Sequence, residues 1–385
     1  MKKHCLVILI ICFHIAPLIS KAQDSLLINF LIKRIAEQQV QQDAFFLTGI
    51  YPSYISKNEN FSTRKKDNNI FFNGLVAYTL KDIKPGMSRQ NALLIDSTLN
   101  KAIPLYARFK NKERDTYNFW RTDSTYDYPY AGLLNPFSKK ITLPDDMDDT
   151  VLSLLALDAD DSTAATIHSC MQKYINTDSN KVRSPIAAYD TLPAYSTWFG
   201  KKFPVVFDVS VLCNVLAFVQ TYNLPWTKAD SASLEVIVKT IQNNYHVSKP
   251  MYASPYYPKA SLILYNIARL MNIKAIPALD AIKIKLVTDA AKQLLTTNNL
   301  VEKIILSNAI LKWGYAPPEI PLPAITEIEK DIEQNDFCFF VGNIPSYFKD
   351  GLKKIATEKN IGLFYHYCPA YNDALLLEYL ILKTR

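Results

Sequence analysis

The stretch LPDDMDDTVLSLLALDADD, Leu143 to Asp161, places seven carboxylates around one short apolar run. Asp145, Asp146, Asp148 and Asp149 stand at its start, and Asp158, Asp160 and Asp161 follow it. Carboxylates at a helix N-terminus accept orphan backbone N–H groups and meet the positive end of the dipole, each worth about 0.3–1 kcal/mol. One or two acids do that job. Four this close repel one another and raise each other's pKa. Crowded carboxylates have two chemical uses. Their oxygens suit Mg²⁺ or Ca²⁺, and a carboxyl kept protonated in an apolar pocket is a strong general acid. Capping, metal binding and acid catalysis are three readings of one motif.

Aromatic side chains offer ring faces that attract positive charge. Trp120, Trp198, Tyr256 and Tyr257 are the candidates, with core or rim packing as their alternative role. His168, His246 and His366 show no HxxxH or HExxH spacing, which argues against a zinc hydrolase. His366, in the aromatic string FYHYC, is the histidine assigned to the candidate site. The segment Asp115–Tyr130, DTYNFWRTDSTYDYPY, mixes aromatics with acids as sugar-binding surfaces do. Asp123 or Asp127 with Asp148 would then form an acid–base pair for glycoside hydrolysis. A loop packed over the molecule by its tyrosines accounts for the same segment. No GxGxxG, GxxxxGK[ST] or GxSxG motif occurs, so phosphate-loop and serine-hydrolase readings lack their fingerprint.

The elements that must position these residues read as helices. Only nine glycines occur in 385 residues, and runs rich in Leu, Ile and Ala recur. Apolar periodicity predicts helices over 25–42, 150–157, 162–175, 209–221, 229–244, 259–271, 282–295, 300–312 and 371–383. Those at 150, 209, 259 and 371 are apolar nearly all round, whereas the helices that follow the first three are amphipathic. Alternation of buried and half-solvated helices predicts an α/α barrel, a toroid of inner and outer helices in one domain spanning 24–385. The buried-type helices follow proline-containing loops, LPDD, FPVVFD, SPYYP and CPAYND, and proline suits a helix approach. If the inner helices run parallel, those loops gather at one mouth. Residues 57–69 read as a polar loop, and 336–341 as a strand pairing with 362–366. The expected class is all-α, with at most that short hairpin.

Residues 1–23, MKKHCLVILIICFHIAPLISKAQ, have the basic start, apolar core and small-x-small end of a secretory leader. An uncleaved anchor is the alternative. The chain is thus expected to be exported, periplasmic or secreted, with no membrane span after the leader. Loss of the three leader lysines lowers the net charge from +7 to +4, too little to argue for nucleic acid. Of the remaining cysteines, Cys338 and Cys368 sit in similar aromatic strings and are the pair considered for a disulfide; separate buried thiols are the alternative.

Asp146-Met147-Asp148-Asp149-Thr150 matches DxDDT and resembles the acid motif of class II terpene cyclases, the squalene-hopene cyclase and copalyl-diphosphate synthase group. That family is built from α/α barrels. The resemblance implies cyclisation of an isoprenoid, with Asp148 as proton donor and Asp149 and Asp146 orienting it. The run Asp208–Leu216 looks like a second inner helix of that superfamily, which adds Asp208 to a substrate-binding set of Trp120, Trp198, Tyr256, Tyr257 and His366. No cofactor is implied, except Mg²⁺ if the substrate is a diphosphate. The chain has room for one barrel where that family uses two, and its QxxxGxW repeats are absent. Asp145–Asp149 also parses as DDxxD of class I terpene synthases, but there the motif closes a helix, and here the helix follows it. An exported glycan-processing or glycan-binding barrel, and a non-catalytic binding toroid, remain as the other function classes. The expected partner is a small hydrophobic or glycan substrate.

Overall fold

A computed structural model describes residues 24–124, 130, 143–200, 203–333 and 337–385. The leader and Asp127 lie outside the described residues. The chain is mostly helical, as its composition predicts. It also carries a four-stranded antiparallel sheet, so the all-α expectation is corrected.

Helix α1 spans 24–38. Strands β1 (Ser53–Ser56) and β2 (Lys65–Asp67) then form a hairpin whose tip lies within the polar 57–69 segment. Helices α2 (Phe71–Ile83) and α3 (Arg89–Tyr106) follow, and neither was marked by periodicity. The buried residues of α2 lie all round it, and α3 buries only a narrow stripe including Ile95, Ala102 and Leu105. Next come α4 (Met147–Ala156), α5 (Asp161–Met171), α6 (Val209–Thr221), α7 (Lys228–Gln242), α8 (Ala260–Ile273), α9 (Lys283–Thr296), α10 (Leu300–Lys312) and α11 (Ile325–Glu333). Strand β3 (Phe340–Asn343), helix α12 (Asp350–Glu358), strand β4 (Leu363–Tyr367) and α13 (Pro369–Leu382) complete the chain. The sheet order is β2-β1-β4-β3. The β3–β4 pairing corresponds to the strand pair expected from sequence, with Phe340 opposite His366.

Six helices neighbour one another in a cycle: α2 packs on α4, α4 on α6, α6 on α8, α8 on α10, α10 on α13, and α13 back on α2. These are the helices buried on most sides; every residue of α6 from Val209 to Gln220 is buried, and every residue of α13 after its first. Helices α3, α7, α9 and α11 lie against α2, α6, α10 and α13 respectively. Amphipathic α9 buries only Leu286, Ala290 and Leu294. One core cluster runs from Leu27 to Ile381 and includes all six cyclic neighbours. Gly74 permits a close approach of α2 to α4, since a Cβ there would stand 2.9 Å from Leu152 Cβ.

Helix starts follow the sequence chemistry. Asp146 caps α4, Asp160 caps α5, Asp208 caps α6, Asn299 caps α10, and Thr227 and Asp230 form a full capping box on α7. Pro369 occupies the first turn of α13, where its missing N–H costs nothing. Cys170, Cys213, Cys338 and Cys368 are all free thiols, so the considered 338–368 disulfide is not formed. No helix among the described residues is long and apolar enough to cross a membrane.

Candidate functional site

The acids of the opening motif are pinned by backbone before their side chains are considered. Met147 N–H donates to Thr197 O at 2.8 Å, Phe199 N–H to Asp145 O at 2.9 Å, and Asp146 bridges to Trp198. Thr150 Oγ1 donates to Asp146 O at 2.7 Å and accepts from Tyr117 N–H at 2.9 Å. The motif threonine thus clamps the first turn of α4 between two loops.

The four carboxylates then separate by role. Asp145 is an anchor. It accepts from Arg114 Nη2 at 2.6 Å, Asn111 Nδ2 at 2.8 Å and Thr116 Oγ1 at 2.5 Å. That corrects its reading as helix-start chemistry; it ties the 111–118 loop to α4. Asp146 is the N-cap, accepting from Asp149 N–H at 2.7 Å. Asp148 accepts from Asn214 Nδ2 of α6 at 2.7 Å and from the Tyr257 hydroxyl. Asp149, 1% exposed, shares a side-chain hydrogen bond with Asp146, and its Oδ1 has no partner.

Burial lifts all three motif carboxyls above the usual range, but their neighbours divide them. Asp148 is pushed up to about 6 by burial, and Tyr257, Asn214 and the charge of Arg269 hold it from rising further. Asp149 lies well above the carboxylate range, because burial is reinforced by the Asp146 charge and by donating its proton to Asp146. Asp146 is also raised by burial, while accepting that bond and the Asp149 N–H favours its anion. Burial and the Asp146 charge thus favour the protonated form of Asp149, whereas the donors to Asp148, the residue to which the resemblance assigned the proton, favour its anion. The neighbours that favour the Asp148 anion are supplied by α6 and α8, which the motif alone does not reveal.

Asp146, Asp148 and Asp149 line a cavity of about 20 Å³ with Phe71, Thr197, Trp198, Val211, Tyr256 and Phe340. Such a space holds about one water. The N-terminal ends of α2, α4 and α6 and the loop leading into α8 meet there, whereas the CPAYND loop before α13, expected at the same mouth, does not line the cavity. Trp198 Nε1 donates to Tyr256 Oη at 3.1 Å, which sets the two rings edge to face. Phe340 roofs the cavity and stacks on Phe119 and Tyr256. Phe71, Phe340, Asn214 and Arg269 were not legible as site residues; Phe340 reaches the cavity from a strand far along the chain.

Other sequence candidates fall elsewhere. Asp208 is fully buried and pushed up to about 7 by burial, but it accepts from Ser210 N–H, Val211 N–H, Ser254 Oγ and Tyr256 N–H. It is a cap and loop clamp, and it positions Tyr256 instead of lining the cavity. Trp120 Nε1 donates to Asp67 Oδ1 at 3.0 Å, and His366 Nδ1 lies 3.5 Å from Asp67 Oδ2. These two belong to a polar cluster around β2, behind Phe119, outside the acid cavity. Asp123 is held by Arg108 and Arg121, each at 2.7 Å, and does not line the cavity. The described residues contain no group of three or more His, Cys, Asp or Glu arranged to hold a metal ion.

No protein-family model matches the chain, no curated protein matches it in sequence, and no solved structure matches its fold.

Proposed function

We propose that the acid cluster is a buried proton donor and that the protein is an acid catalyst acting on an apolar, electron-rich substrate of the isoprenoid kind, in the manner of class II terpene cyclases. The observation that carries this reading is Asp149: a buried carboxyl with one oxygen unpartnered, lining an aromatic-walled cavity, where burial and the Asp146 charge favour its protonated form. A protonated carboxyl in a dry site transfers its proton to a weak base such as an alkene more readily than one in water does. The Asp149 O–H bond breaks as the new C–H bond forms, and the resulting cation meets the faces of Trp198, Tyr256, Phe71 and Phe340. The Asp148 anion, held by Asn214 and Tyr257, supplies negative charge on the same wall. The cycle of six helices with outer partners supports an α/α toroid, the architecture this chemistry uses, and the leader expected from sequence would make it an exported one. Mg²⁺ enters only if the substrate is a diphosphate.

The cavity volume sets a requirement: an isoprenoid fits only when Phe340 leaves its place. The same volume favours a second reading, a non-catalytic helical ring in which the acids are interior caps. One experiment separates them. The wild type, Asp149→Asn and Asp148→Asn are incubated with squalene and with isoprenoid diphosphates, with and without Mg²⁺, and products are read by mass spectrometry. The catalytic reading expects cyclised product, reduced about 10²–10⁴-fold in Asp149→Asn. Absence of product, or equal product from wild type and Asp149→Asn, sinks it.

A further inference from the structure

Five of the fourteen large apolar side chains that are exposed among the described residues fall between Ile344 and Ile361: Ile344, Phe348, Leu352, Ile355 and Ile361. Helix α12 explains their grouping. Its inner face holds Ala356 and Lys353, both buried, with Lys353 Nζ donating to Arg183 O. Its outer face carries Leu352 and Ile355, 66% and 53% exposed, one turn apart, with Phe348 one turn before them. Backbone bonds bring the other two to the same end of the helix: Ile361 N–H donates to Ala356 O at 2.8 Å, and Ile344 N–H to Gly362 O at 3.1 Å. Lys349, Lys354 and Lys359 are exposed around this face and Glu358 pairs with Lys354 at 3.9 Å, so the rim keeps an excess of positive charge.

We infer that the outer face of α12 with Ile344, Phe348 and Ile361 is a docking surface for an anionic lipid membrane. A short amphipathic helix with Leu, Ile and Phe on one face and lysines beside them lies in the plane of such an interface. The apolar side chains enter the acyl boundary, and the lysines meet the headgroup charge. Charge complementarity chooses this occupant, since three exposed lysines outnumber the acids of this segment, Asp350 and Glu358, and anionic headgroups attract that excess. The surface is continuous in chain with β3, which begins at Phe340, the roof of the acid cavity. The inference does not depend on the acid chemistry.

The test places a reporter on the face itself, so that a bound leader segment does not mimic the signal. The Leu352→Trp chain is mixed with vesicles of brominated phosphatidylglycerol and phosphatidylethanolamine, and the parent chain's fluorescence is subtracted. The introduced tryptophan is expected to be quenched, and the quenching to weaken with salt and in vesicles of phosphatidylcholine alone. Adding Ile355→Glu and Ile361→Glu should reduce quenching about tenfold or more. Lys354→Gln with Lys359→Gln should weaken vesicle affinity about fivefold per lysine. Both positions are exposed, and circular dichroism confirms that the variants fold. An unquenched tryptophan overturns the proposal. So does quenching unchanged by the glutamates, or self-association through this face without vesicle binding.

Discussion

At the scale of single residues, the distinction that matters is which carboxyl of the acid motif keeps its proton. Asp148 and Asp149 are adjacent and both buried, yet Asp148 has two donors and a nearby guanidinium, while Asp149 has Asp146. Raised folded-state pKa values have a consequence for stability. A carboxyl whose folded pKa lies above its unfolded value contributes stability that is fully present below the unfolded pKa and lost as pH rises through the folded one. Asp148, at about 6, and Asp208, at about 7, therefore make the protein less stable as pH rises from about 4 to 7. Asp149 extends that loss to higher pH. Asp149→Asn is expected to flatten the slope and to raise the melting temperature at pH 8 by removing a charge that is costly to form. Denaturant melts of both proteins across this range check it. Parallel curves would show that Asp149 ionises like an exposed carboxyl.

At the scale of elements, the site is made where helix starts and one strand end meet. Phe340 comes from β3 and is held by pairing to β4, by stacking on Phe119 and Tyr256 and by a tilted contact with Phe71. Phe340→Ala should cost less in chemical unfolding than the about 3–5 kcal/mol of a fully buried ring, because Phe340 is half-buried. It should also enlarge the acid cavity enough for an apolar probe to bind, which a ligand-dependent rise in melting temperature would report. Gly74 and Leu152 set the contact of α2 with α4. Gly74→Ala is expected to destabilise by about 1–3 kcal/mol despite its better helix propensity, because the new methyl overpacks backbone-near atoms. A neutral or stabilising result would mean that the two helices separate easily.

At the scale of the whole molecule, the cycle of helices is cross-tied by interior polar bonds as well as by apolar packing. Glu378 of α13 accepts from Tyr265 of α8 at 2.7 Å, from Asn308 at 2.8 Å and from Lys312 at 2.9 Å, the last two on α10. Lys312 also reaches Asp82 of α2 at 2.6 Å. Four of the six cyclic neighbours therefore share one charged network. Glu378→Ala leaves Lys312 with Asp82 alone and the buried Tyr265 hydroxyl without its acceptor, so it should cost about 1–3 kcal/mol. Glu378→Leu combined with Lys312→Met should cost less than the two single changes added together, as a double-mutant cycle would measure. Additive losses would mean that water, not Lys312, balances Glu378.

Much of the helical frame was readable from local sequence. Helices α6 and α10 have the bounds that periodicity predicts, because an all-apolar run and an Asp or Asn cap are local signals. Asp160 could be recognised as a cap for the same reason. Helices α2 and α3 escaped because α2 is buried on most sides and α3 buries too narrow a stripe for periodicity to separate them from loop. Strands β1 and β2 escaped because three or four residues carry little pattern until β4 pairs with them. Asp146, Asp148 and Asp149 could be singled out together, since crowding is visible in sequence. Their division of labour could not, because a proton's position depends on Asn214, Tyr257 and Arg269, which lie far along the chain. Sequence alone determined that acids begin an apolar helix; tertiary structure decided which acid is buried with an oxygen left without a partner beside Phe340, because burial and long-range hydrogen bonds set a carboxyl's charge.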